Sequence, residues 1–203
     1  MRVAVAGATG AVGSIMLDVL RKRGFPAGEV VPFATERSAG RTLDNADVPV
    51  QVMSEETIQG FDLALFSAGG GTSKEWAPKF VQAGAVVVDN SSAWRMNDDV
   101  PLVVPEVNAD ALASHQGIVA NPNCTTMVAM LPLKALHDAF GLTAMVATSF
   151  QAAGGAGQKG IDELAEQIGP VGADVQLLVD DGASTAAKAT PEVFAAPLAF
   201  NVV

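Results

Sequence analysis

RVAVAGATGAVG, residues 2–13, joins a short apolar run to three glycines spaced three apart, at positions 7, 10 and 13. Residues 1–6 read as a buried strand. A helical pattern follows, with Ile15, Leu17, Val19 and Leu20 assigned to its apolar side. Glycines between a first strand and a first helix let the backbone turn tightly and approach a pyrophosphate, which then meets the helix N-terminus. The spacing G-x-x-G-x-x-G is a variant of the commoner G-x-G-x-x-G fingerprint. Its place at the first strand gives it weight over a plain strand-to-helix turn, so Gly7, Gly10 and Gly13 are candidate dinucleotide contacts.

Outward from this stretch, apolar runs at 29–34, 48–53, 61–66, 85–89, 117–120 and 142–151 read as strands. Helical patterns fill 72–83, 127–140 and 160–168. Strands alternating with helices imply an α/β fold with a doubly wound parallel sheet. From residue 169 onward small residues and prolines multiply and helical periodicity fades. Residues 191–203 look extended and end on an apolar strand at 198–203. Such an end leaves backbone groups without partners, so an incomplete molecule is expected.

Composition narrows the function classes. A net charge of −10 over 203 residues argues against nucleic acid or an anionic membrane as partner. No apolar stretch of about 18 residues could span a bilayer, and the N-terminus lacks the pattern of a secretory signal. A single cysteine rules out an internal disulfide framework and suits a reducing cytoplasm. No metal site is expected. Tyrosine is absent, which removes one common general acid.

The end of the second strand selects between nicotinamide cofactors. An acidic residue there holds a ribose 2′-hydroxyl, whereas Arg and hydroxyl groups hold a 2′-phosphate. Glu36 alone suggests NAD. Arg37 with Ser38 suggests NADP, because a guanidinium fork matches phosphate geometry.

The chemistry centres on Cys124, in NPNCTT at 121–126. A thiol at a helix N-terminus faces unpaired N–H groups and the positive end of the helix dipole, which favour thiolate over thiol. A lone cysteine is commonly an inert buried residue, but the Asn-Pro-Asn turn and Thr125-Thr126 favour a presented, nucleophilic sulfur. Three further strings follow apolar strands, at the carboxyl edge where open α/β sheets bind ligands: SAGGGTS at 67–73, DNSSAWR at 89–95 and SFQAAGGAG at 149–157. Arg95 is a candidate oxyanion clamp, or a surface arginine stacked on Trp94. Gln151 is placed to hydrogen-bond a polar substrate. Neither histidine serves as catalytic base: His137 lies 13 residues beyond Cys124 on one helix, about 20 Å along its axis, and His115 belongs to a polar loop.

Taken together these strings resemble aspartate-semialdehyde dehydrogenase. The matching pieces are VAVAGATGAVG, ATERSAGR, SAGGGTS, VVVDNSSAWRMNDDVPLVVPEVN, IVANPNCTTM, SFQAAGGAGQKGIDEL and PLAFNVV, in register from residue 3 to residue 203. The resemblance implies a Rossmann-type NADP-binding domain at 1–123 and the beginning of an α+β catalytic and dimerisation domain at 124–203. It also implies a cytoplasmic homodimer without nucleic-acid or membrane partners. The implied reaction is NADPH-dependent reductive dephosphorylation of aspartyl 4-phosphate to aspartate 4-semialdehyde, in lysine, threonine, methionine and diaminopimelate biosynthesis. By position, Cys124 would be the nucleophile, Gln151 would orient the substrate, and Arg95 with Asn123 would hold its phosphate. Thr9, Gly10, Ala11, Val12, Arg37, Ser38, Gly154 and Gly155 would contact NADP, with Ser67 and Gly69 near the nicotinamide. Family members commonly carry Ser where Gly154 stands. They are also longer, and their catalytic His, substrate-carboxylate Arg and phosphate-binding Lys lie in the portion beyond this chain, so little turnover is expected of it. Two alternatives stand beside this: a relative that reduces another acyl phosphate such as N-acetylglutamyl phosphate, and a non-catalytic nucleotide-binding module.

Overall fold

Strands β1 (Arg2–Ala6), β2 (Glu29–Ala34), β3 (Gln51–Val52), β4 (Leu63–Phe66), β5 (Val86–Asp89) and β6 (Ile118–Ala120) form one sheet. Their spatial order is β3-β2-β1-β4-β5-β6, and every pairing is parallel. The order reverses between β1 and β4, the topological switch point at which doubly wound sheets bind ligands. The computed structural model describes residues 1–173 and 176–203 and divides into two units, Met1–Ala147, which carries this sheet, and Thr148–Val203.

Central strands of a parallel sheet bury both faces and are therefore apolar at every position rather than at alternate ones. Val3, Ala4, Val5 and Ala6 are all fully buried. On one face Phe33, Phe66 and Phe80 interlock edge-on, with ring centroids 6.0 Å apart for Phe33–Phe80 and 5.4 Å for Phe66–Phe80. Phe80 and Ala77 come from helix α2 (Gly70–Gln82), which is thereby fixed over β4 and β5. Each such ring buries enough apolar surface for about 2 kcal/mol, with about 1 kcal/mol more from ring–ring geometry.

The opposite face receives helix α1 (Ala11–Lys22) through Leu17, which packs on Val5 and Ala8. The sequence expectation for this helix needs correction. Ile15 and Val19 are 59% and 40% exposed, while Gly13 and Leu17 are the buried positions. At 100° per residue, Ile15 and Val19 lie on the far side from Leu17. The β6 edge does not lie open, because the 101–103 segment runs beside it: Ala120 N donates to Pro101 O and Val103 N to Ala120 O.

Helix α3 (Pro105–Asn108) and a 3₁₀ segment (Ala109–Ser114) lead into β6, and helix α4 (Cys124–Phe140) leaves it. Three further expectations are corrected. Residues 142–151 do not form a strand, and 142–150 are exposed throughout, since among the described residues no neighbour supplies the ladder that an extended segment requires. Residues 198–203 close into a turn, with Asn201 N donating to Leu198 O, rather than an apolar strand. The region after 169 is not without helix: α5 (Gln158–Gly172) runs past it, and α6 (Leu177–Asp180) and α7 (Gly182–Ala186) follow.

Candidate active site

All six strands point the same way, so the loops after β1, β4, β5 and β6 share the carboxyl edge of the sheet. After β1 the chain turns at Gly7, whose φ is +83°. A Cβ there would lie 2.4 Å from the Ser67 carbonyl oxygen, and one on Gly13 would lie 2.1 Å from the Gly7 oxygen. Only glycine lets β1, the start of α1 and the exit of β4 approach this closely. Gly7 N and Ala8 N donate to Phe33 O, which pins the turn to β2. Residues 9–12 remain exposed at its apex.

Helix α1 begins at Gly10 without a side-chain cap and without an acidic residue in its first turn. Helix α2 begins the same way at Gly69, which has φ +83°. Two uncapped helix N-termini therefore follow the two strands that flank the switch point, each carrying free N–H groups and partial positive charge. The glycine cradle and these termini fit a dinucleotide pyrophosphate. At the end of β2, Thr35, Glu36 and Arg37 are exposed on a 3₁₀ turn (Glu36–Ser38), while Ser38 is buried at 6% exposure.

The loop after β5 is held by a dense set of bonds. Asp89 is fully buried, and its Oδ2 accepts from Ser91 Oγ at 2.6 Å. Ser91 Oγ in turn accepts from Ala93 N at 3.1 Å. Among the described residues Asp89 Oδ1 has no protein partner. Arg95 does not simply lie on the surface against Trp94. Its Nε donates to Asn121 O and its Nη2 to Asn90 O, both at 2.9 Å, so it bridges the ends of β5 and β6. Asn121 Nδ2 completes the bridge by donating to Asn90 Oδ1 at 2.7 Å. Two of the five guanidinium N–H groups are thus spent on main-chain carbonyls, and three remain for a ligand. Trp94 turns the other way: its Nε1 donates to Ser73 Oγ of α2 at 2.9 Å.

Three residues past Asn121, Cys124 is the first residue of α4, free and exposed. Asn123 caps this helix, its Oδ1 accepting from Thr125 N at 2.9 Å. No residue of α4 is buried, and Val128, Leu131 and Phe140 are 78%, 45% and 84% exposed. Both histidines accept locally through Nδ1, His115 from Gly117 N at 3.0 Å and His137 from Leu142 N at 3.1 Å.

Gln151, Gly154 and Gly155 belong to the Thr148–Val203 unit. Gly154 and Gly155 lie in a 3₁₀ segment (Ala153–Ala156), and a Cβ on Gly155 would fall 1.7 Å from Gln151 Nε2, so the glutamine side chain lies across that glycine. Gln151 also lines an open hollow of about 660 Å³ with Leu164, Leu198, Phe200 and Asn201. One wall is fixed from α5, where Gln167 Oε1 accepts from Leu198 N at 2.7 Å and from Ala199 N at 3.1 Å. One turn earlier Glu163 accepts from Val193 N and Glu192 N. Burial pushes the Glu163 carboxyl up, but the N–H groups of Val193, Glu192 and Phe194 with the Gln167 amide outweigh it and hold its pKa below the ordinary glutamate value.

Reasoning from sequence missed Asn90, Asn121 and Ser73, although all three fall within the strings it singled out. Asparagine at a strand end was the available signal, since its side chain can tie two loops together. Among the described residues no group of three or more His, Cys, Asp or Glu is placed to hold a metal ion, and no helix is long and apolar enough to cross a membrane.

Comparison with known proteins places this geometry in context. Residues 2–115 match the family described as semialdehyde dehydrogenase, NAD binding domain, and residues 133–203 match semialdehyde dehydrogenase, dimerisation domain. The aspartate-semialdehyde dehydrogenase of Corynebacterium glutamicum is 48% identical over 99% of this chain and 60% of its own length. That of Aquifex aeolicus is 50% identical over 82% of this chain and 50% of its own length. A crystal structure of aspartate semialdehyde dehydrogenase II complexed with ASA from Vibrio cholerae superposes with a TM-score of 0.82 at 41% identity, covering 98% of this chain and 57% of that one. One with NADP from Candida albicans gives 0.55 at 26% identity, covering 70% and 48%. The chain thus spans about 60% of the length of the C. glutamicum relative.

Proposed function

The chain belongs to the aspartate-semialdehyde dehydrogenase family, and from that premise we propose that the whole protein reduces L-aspartyl 4-phosphate to L-aspartate 4-semialdehyde with NADPH. The observation that carries this reading is the exposed Cys124 at the N-terminus of α4, beside its cap Asn123, with Arg95 anchored to the turn that leads into it. Both sit on the same sheet edge as the glycine cradle.

In this mechanism Cys124 Sγ attacks the acyl carbon, the carbon–oxygen bond to phosphate breaks, and a thioester remains on the cysteine. Arg95, with its remaining N–H groups, takes up the charge of the departing phosphate, assisted by Asn123. Bound NADPH supplies the hydride that reduces the acyl group to the aldehyde. The thiolate then leaves as the carbonyl re-forms. Gln151 orients the substrate. In this reading Gly7, Thr9, Gly10, Ala11, Val12 and Gly13 would hold the cofactor, Ser67 and Gly69 would serve its nicotinamide, and Gly154 and Gly155 would be further contacts. Exposed Arg37, beside Ser38, supports NADP over NAD.

We assign residues 1–123 to the cofactor domain and 124–203 to a catalytic and dimerisation domain of a cytoplasmic homodimer. The match to a dimerisation domain over 133–203 and the exposed apolar residues of α4 support the dimer. The product feeds lysine, threonine, methionine and diaminopimelate synthesis. Because both histidines are engaged locally, these 203 residues on their own are expected to acylate but to turn over poorly. The test is direct: incubate the chain with L-aspartyl 4-phosphate and read the acyl adduct by intact-mass spectrometry. An adduct that persists in Cys124→Ser would sink the assignment, and preference for N-acetylglutamyl phosphate would redirect it.

A further inference from the structure

Trp94 and Arg95 are consecutive, and each is fixed at its far end to a different element. Trp94 packs against the phenylalanine core, and its indole N–H donates at 2.9 Å to Ser73 Oγ. Ser73 is fully buried and is the fourth residue of α2, the helix whose N-terminus flanks the switch point. Arg95 reaches the opposite way, to Asn90 O and Asn121 O. The main chain between them cannot shift without breaking one anchor. An unanchored tryptophan would let the Arg95 Cα slide, and its guanidinium would lose its two carbonyl partners.

We propose that Ser73 and Trp94 are positioning residues for the anion-binding site, setting Arg95 from the first turns of the cofactor helix through the Trp94–Ser73 hydrogen bond. The inference rests on the reading of Arg95 as the phosphate-binding arginine. Its energetic logic is pre-organisation: an arginine held in place loses less conformational freedom when an anion arrives.

The experiment titrates inorganic phosphate and, separately, NADP into the 203-residue chain, followed by ¹H–¹⁵N NMR including the Arg95 Nε–H signal. Trp94→Phe keeps the ring and removes the donor, Ser73→Ala removes the acceptor, and Ser73→Thr restores it. Trp94→Phe and Ser73→Ala should each weaken phosphate binding about two- to tenfold, the range expected for freeing one side chain. NADP affinity should stay within about twofold, and Ser73→Thr should recover phosphate binding. In an Arg95→Ala background, Trp94→Phe should have no further effect on phosphate. Equal loss of NADP and phosphate binding, or an additive double mutant, overturns the proposal in favour of general loosening of α2. Should Trp94→Phe fail to fold, Ser73→Ala with its threonine rescue decides alone. If Arg95→Ala leaves phosphate binding intact, the reading of Arg95 itself fails. If it weakens binding while Trp94→Phe and Ser73→Ala do not, only the present inference fails.

Discussion

Replacing the three glycines of the first turn one at a time by alanine should separate folding from cofactor approach. At Gly7 alanine meets two penalties. The residue sits at φ +83°, a left-handed conformation that disfavours an L side chain by about 1–2 kcal/mol. Its Cβ would also lie 2.4 Å from the Ser67 oxygen. That oxygen cannot retreat freely, because Ser67 N donates to Ala6 O and Phe66 is registered against Ala6. An overlap of this kind in a packed interior adds about 1–3 kcal/mol, so Gly7→Ala should lose about 2–5 kcal/mol and lower the urea midpoint by about 1–2 M. Gly13→Ala has only the overlap, 2.1 Å from Gly7 O, and regains some helix propensity, so about 1–2 kcal/mol is expected. Gly10→Ala makes a single contact at 3.3 Å and should hold its stability within about 0.5 kcal/mol. Because position 10 is exposed at the turn apex, its methyl should still weaken NADP by about tenfold or more, equal to about 1.4 kcal/mol. Tryptophan fluorescence during urea unfolding and a binding isotherm for NADP measure the two effects. The reasoning is refuted if Gly10→Ala proves the most destabilising of the three, or if Gly7→Ala unfolds at the wild-type midpoint.

The remaining predictions concern single contacts. Phe80→Ala removes the ring that meets Phe33, Phe61 and Phe66 and should cost about 3–5 kcal/mol with an unchanged urea m-value. Asn123→Ala deletes the cap of α4 and should lower stability by about 1 kcal/mol, read as lost helical circular dichroism and a lower Tm. Cys124→Ser should abolish labelling by iodoacetamide entirely, since the chain has no other cysteine. Glu163 has a lowered folded pKa, so its stabilising effect is full above the ordinary carboxylate range and fades as pH falls through the folded value. Glu163→Gln should therefore weaken the 192–199 segment at neutral pH and flatten its acid dependence. Hydrogen exchange at Val193 and Leu198 between pH 7 and 3 tests this, and parallel profiles for both proteins would contradict it.

Most of the first unit could be read from the sequence because strand and helix there are specified locally and agree with the sheet. Four fully apolar residues in β1, glycines at its end and a helical pattern after them leave one doubly wound solution. Segment 142–151 shows where this fails. Its β-branched and apolar residues satisfy a strand pattern, but a strand exists only when a neighbour offers the complementary N–H and C=O groups, and none among the described residues does. Ile15 and Val19 show a second failure, apolar residues counted as core without checking the angle between them. In the candidate site, Cys124 and Arg95 announced themselves through neighbours of unusual composition. The work of Asn90 and Asn121 was hidden because hydrogen bonds between 31 residues of separation leave no periodic trace.

Of the six strands, the one at the centre of the sheet, β1, comes first in this sequence. β1 needs β2 at residues 29–33 on one side and β4 at 63–66 on the other before its four buried residues are covered. At a translation speed of about 5–20 residues per second, its second partner follows several seconds behind. During that interval a wholly apolar strand, with an edge able to pair, is attached to the ribosome.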